Sequence, residues 1–113
     1  MPDHRSPVYA VKAEFFRVVG HPKRVRILEL LADGPRTVGD LQTALELDSS
    51  GTSQHLAALR KVGVLVSRRQ GTNVYYSVRD QRIFDLLATA RAIITSNLSM
   101  NQELLSDLSE SPT

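Results

Sequence analysis

Residues 45–78 read LELDSSGTSQHLAALRKVGVLVSRRQGTNVYYSV. Asp48-Ser49-Ser50 supplies short acceptors that cap a helix start. Leu56, Leu59 and Val62 then recur at helical spacing, and Gly63 is a candidate left-handed C-cap. Residues 64–68 read as a strand, residues 70–73 as a turn and residues 74–78 as the returning strand. From Ser49 to Arg79 the bases Arg60, Lys61, Arg68, Arg69 and Arg79 occur with no acid between them. A helix and a hairpin sharing a purely basic stretch make a footprint for an anionic polymer.

Upstream, residues 8–19 place Val8, Val11, Phe15 and Val18 at helical spacing, with Tyr9, Phe16 and Val19 widening the apolar face. Gly20 ends this helix, and Pro22 fits the first turn of the next. That second helix carries Val25, Ile27, Leu28, Leu30 and Leu31 and stops at Gly34-Pro35. Thr37 is an N-cap with Asp40 at the capping-box position, opening a third helix with Val38, Leu41, Ala44 and Leu45 as its buried stripe. Downstream, Asp80 caps a long fifth helix lined by Ile83, Leu87, Ala90, Ile94 and Leu98. Phe84, Leu86 and Ile93 make it broader than one packing surface needs, which points to a partner chain. The expected organisation is a loose arm over residues 1–7, one domain over residues 8–98, and a tail over residues 99–113. That tail holds the end of the last helix and then frays.

Composition narrows the class. The chain has 113 residues, 42% hydrophobic and 23% charged, with a formal net charge of +2. Those fractions suit an ordinary globular domain, and no global field drives binding. The charge is uneven: residues 97–113 hold Glu103, Asp107 and Glu110 and no base. Cysteine is absent, which removes disulfides, thiolate metal sites and thiol nucleophiles together. No signal peptide or membrane-spanning run is read, so a cytoplasmic protein is expected.

A third helix, a turn near residues 46–49, a fourth helix and a basic hairpin form a winged helix-turn-helix pattern, mainly α with a two-stranded wing. The major groove admits one helix, whose N-terminal residues meet base edges first. Here those are Ser50, Thr52, Ser53, Gln54 and His55. Gln54 can bond adenine bidentately, and the free amides near residues 49–52 favour a phosphate. Arg60 and Lys61 suit phosphate further along, while Arg68, Arg69, Thr72 and Asn73 sit on or near the wing tip. Each feature alone has a plainer reading. The serines are caps, the bases a solvated face, His55 a satisfied buried histidine, and Tyr75 and Tyr76 hairpin packing. Their order and co-occurrence favour double-stranded DNA.

The chain resembles the ArsR/SmtB family of bacterial winged-helix repressors. The resemblance covers residues 12–95. It rests on Gly20-His21-Pro22, Arg24, Arg26-Ile27-Leu28, Leu41, Ser53-Gln54-His55-Leu56, Leu59-Arg60, Gly63, and Gly71 with Tyr75-Tyr76. It implies a homodimer joined by the first and last helices, here through Val11, Phe15, Ile83, Leu87, Ala90 and Ile94. It also implies an operator inverted repeat read by residues 50–62 and by a wing near residues 67–75, with repression relieved by an inducer.

The family's metal-sensing positions differ. Where some members place cysteines at the start of the third helix, this chain has Thr37, Val38 and Gly39, none a soft-metal ligand. Where others open the last helix with Asp-x-His, it has Asp80-Gln81-Arg82, and Ile93 and Ser96 offer no imidazole. His4 and His21 are the remaining histidines outside the reading helix and make a poor site. No metal or other cofactor is expected, and the inducer is either an unidentified small molecule or absent. No nucleophile–base set, phosphate loop or paired carboxylate suggests an enzyme. Two other readings stay open: a protein-interaction module, and a nonspecific architectural DNA binder.

Overall fold

The computed structural model describes residues 7–110, so the arm and His4 lie outside the described residues, as do residues 111–113. The chain divides into two compact units, one ending at Gln81 and the other beginning at Arg82. The first runs α1 (Val8–Val19), α2 (Pro22–Leu30), a 3₁₀ turn (Leu31–Asp33), β1 (Arg36–Thr37), α3 (Val38–Leu45), α4 (Ser49–Lys61), β2 (Leu65–Gln70) and β3 (Asn73–Val78). The second is the helix α5 (Arg82–Glu110).

Side chains and backbone close the helix ends as their residue types dictate. The His21 Nδ1 accepts the Lys23 amide at 3.1 Å, with Pro22 in the first turn of α2. Thr37 and Asp40 form the expected capping box on α3, with bonds of 3.1 and 3.4 Å. The Asp48 carboxylate accepts the Gly51 amide at 2.7 Å and starts α4. α4 then closes with Gly63 at φ 81, its amide bonded to the Arg60 carbonyl and the Val64 amide to the Leu59 carbonyl. That paired arrangement is a Schellman ending, for which glycine carries no steric cost. α3 ends with the same pair of bonds, but the left-handed position is Glu46, at φ 55.

The sheet corrects the expected two-stranded wing. It has three antiparallel strands in the order β1-β3-β2, Arg36 pairing with Tyr76 and Thr37 with Tyr75. Two residues are too few to show alternation, and Thr37 reads as a cap because it also is one. The hairpin is tighter than expected. Gln70 and Asn73 pair with each other, leaving Gly71 and Thr72 as the turn. Gly71 has φ 61 and Thr72 does not, the pattern of a turn whose first central position demands glycine.

The core of the first unit is Val18, Val19, Ile27, Leu28, Leu31, Leu41, Leu45, Leu56, Leu59, Val64, Leu65 and Val78. Ala44, expected in the buried stripe of α3, is exposed, and Val62 is half-buried. α3 and α4 are joined only by Glu46, Leu47 and Asp48. α5 begins two residues after Asp80 and continues to Glu110, through the segment expected to fray. Leu98, Leu104, Leu105 and Leu108 carry its apolar spacing onward. No described helix is long and apolar enough to cross a membrane.

Candidate nucleic-acid interface

α4 divides into two faces by its own spacing. Thr52, Leu56 and Leu59, at i, i+4 and i+7, are fully buried. Ser50, Ser53, Gln54, Ala57, Arg60 and Lys61 are exposed. The outer face therefore begins with hydroxyls and a carboxamide and ends with two cations, without an acid. Arg60 and Lys61 stand in the last turn, where their charge also complements the helix dipole.

Two expectations at the helix start are corrected. Thr52 is not available to a base: it is 0% exposed, and its hydroxyl donates to the Asp48 carbonyl at 2.9 Å. Its spacing to Leu56 placed it in the buried stripe, a signal its hydroxyl outweighed. The amides expected to attract phosphate are also partly used. Gly51 donates to the Asp48 carboxylate and Thr52 to the Asp48 carbonyl, so the chain's own acid occupies the anion position.

His55 is half-buried, and its Nδ1 accepts from the Arg24 Nε at 3.2 Å. The same guanidinium donates through Nη1 to the Val18 carbonyl at 3.1 Å. The His21 ring lies 4.6 Å from the His55 ring, tilted by 45°. Burial pushes the His55 imidazole below its ordinary pKa, and His21, Arg24 and Lys23 add to the effect. This cluster was missed at the sequence level, where Arg24 and His21 read as a motif with no contact assigned to them.

On the wing, Arg68, Arg69, Thr72 and Asn73 are all exposed, as is Gln70. Arg68 pairs with Tyr75 and Arg69 with Val74, so the two arginines point to opposite faces of the ribbon. The Arg69 face is continuous with the buried Leu65 and Val78, and the Arg68 face is the other one. There, Pro35, Arg68, Gln70, Tyr75 and Ser77 line a cavity of about 370 Å³. Among the described residues no three His, Asp or Glu side chains gather where they could hold a metal ion. The Thr37 hydroxyl is committed to capping α3.

A short turn between two helices, an acid-free outer face on the second, and a basic ribbon behind it define a winged helix-turn-helix protein built to meet DNA. The model of the bacterial regulatory proteins of the arsR family matches residues 21–67. An HTH-type transcriptional regulator of Mycobacterium tuberculosis, Rv0081, is 45% identical over 104 residues, 91% of each chain. The Rv0081 crystal structure matches with a TM-score of 0.79 at 44% identity, covering 85% of this chain and 97% of that one. A homodimeric winged helix-turn-helix DNA-binding domain from Mycobacterium bovis, Mb0332, matches with a TM-score of 0.76 at 27% identity, covering 88% and 93%. A probable mercury resistance operon repressor of Streptomyces lividans is 33% identical over 85 residues, 75% of this chain and 68% of that protein. The chain belongs to the arsR family and is a DNA-binding transcriptional regulator.

Proposed function

We propose that this regulator is a cytoplasmic homodimer that represses transcription by occupying an operator inverted repeat. The observation that carries the reading is the outer face of α4: Ser50, Ser53 and Gln54 lead it, exposed and uncommitted to the fold, directly after a three-residue turn. These side chains and His55 read base edges. Arg60, Lys61, Arg68, Arg69, Thr72 and Asn73 hold the phosphates and fix the register. DNA binding and dimerisation are together assigned to residues 8–98.

The dimer is supported by apolar surface the single chain leaves uncovered. Every residue of α5 from Ala88 to Ser109 is exposed, Ile94 and Leu98 among them, and Val11 on α1 is 44% exposed. Ala90 and Ile94 are exposed, Leu87 and Phe15 are half-buried, and all four are assigned to the interface. Ile83 is not, because it is 7% exposed already and has little surface left for a second copy. The homodimeric Mb0332 domain supports the same reading by likeness.

Thr37, Val38, Gly39 and Arg82 are not soft-metal or imidazole ligands, so repression is relieved either by a non-metal small molecule or by a fall in the regulator's own abundance. A promoter-fusion assay with a gel-shift salt series tests the proposal. Binding that weakens steeply with salt, together with lower transcription when the protein is present, supports it. Raised transcription would overturn the sign, and no duplex binding at low salt would favour a protein-interaction module.

A further inference from the structure

We infer that Arg24 is a positioning residue for DNA reading: from α2 it holds His55 of α4 in the one tautomer that can only donate, through Nε2–H, to the DNA. The DNA half of this inference rests on the function proposed above.

A guanidinium has five N–H donors and no lone pair, so the imidazole nitrogen that meets it must be the acceptor. The Arg24 Nε lies 3.2 Å from the His55 Nδ1. The neutral ring then carries its proton on Nε2, for which no protein hydrogen-bond partner occurs among the described residues. Arg24 is itself held, because its Nη1 donates to the Val18 carbonyl near the end of α1. One planar group thus joins α1, α2 and the reading helix. Flipping the His55 ring would set a carbon against the Arg24 donor, and the His21 ring at 4.6 Å crowds one side. Among the described residues the charged and titratable groups that act on His55 are His21, Lys23 and Arg24, all basic, and no carboxylate is one of them.

The consequence is a rule for what His55 reads. A fixed donor bonds guanine O6 or N7, adenine N7, thymine O4 or a phosphate oxygen, and it cannot accept from the amino groups of cytosine or adenine. Gln54 beside it offers both a donor and an acceptor. His55 therefore narrows a choice that Gln54 leaves open.

Long-range nitrogen NMR of the whole free protein reads the tautomer without any substitution. The expected spectrum has His55 with Nδ1 bare and Nε2 protonated; protonation at Nδ1, or an even mixture, overturns the inference. In Arg24→Lys the ammonium cannot reproduce the planar fork, and the tautomers should mix. Should that variant fail to fold, the wild-type spectrum still decides. A mutant cycle tests the DNA half. Arg24→Lys should weaken operator binding about tenfold alone and add little to His55→Ala. Losses that multiply independently would remove Arg24 from reading. If the unaltered protein retains no duplex at low salt, the proposed function fails, while the tautomer spectrum separately decides the Arg24–His55 link.

Discussion

Gln54 is exposed on the leading turns of α4 with no hydrogen-bond partner among the described residues, which is the condition for bidentate contact with a base. Gln54→Ala should lose about 1–3 kcal/mol at the affected base pair and little elsewhere, measured by titrating single-base operator variants. Arg68→Ala and Arg69→Ala should behave differently from it, weakening every sequence alike and lowering the salt slope by about one each. On opposite faces of the ribbon and without a shared partner, their losses should add. At His55 the imidazole sits below its ordinary value of about 6.5, mainly through burial. As pH falls beneath that value the unfolded chain takes up a proton that the folded protein resists. The unfolded state then binds more protons, so stability is complete above about 6.5 and is lost as pH falls through the folded value. Thermal melts from about pH 8 to 5 should show this loss in the wild type and a flatter profile in His55→Gln.

The elements of the reading motif are held by their ends. Asp48→Ala removes the acceptor of the Gly51 amide and should cost about 1 kcal/mol of stability. Glu46 holds the left-handed position that glycine occupies without cost, so Glu46→Gly should gain about 1 kcal/mol. Both are read as shifts in urea midpoint at an unchanged m-value. These ends were also the most legible parts of the sequence. Thr37 with Asp40, Asp48, Gly63 and Gly71 each announce one local geometry, and the structure has each of them. Glu46 and β1 were not legible, for two physical reasons. A left-handed glutamate has no composition signal, and a two-residue strand exists only because β3 is there to pair with it. Thr52 was misread because a hydroxyl can be buried at no cost once it donates to the preceding turn.

For the whole molecule, α5 is the element whose apolar surface stays exposed. Its apolar residues read correctly as surplus, and the helix persists through Glu110 with that surplus exposed. Contacts with a second copy, as proposed, lie beyond what the pattern of one chain can assign. Ile94→Glu or Leu98→Glu should convert the dimer to monomer in sedimentation equilibrium. Binding to an inverted repeat should drop by about a hundredfold, because each half-site then binds alone. Genomic-fragment selection with the purified protein at near-physiological salt would reveal whether two copies of α4 read one symmetric site. The expected outcome is enrichment of one inverted repeat with half-site centres about 10 bp, or a multiple of it, apart. Equal, salt-sensitive retention of all fragments would contradict it and make the protein a nonspecific architectural binder.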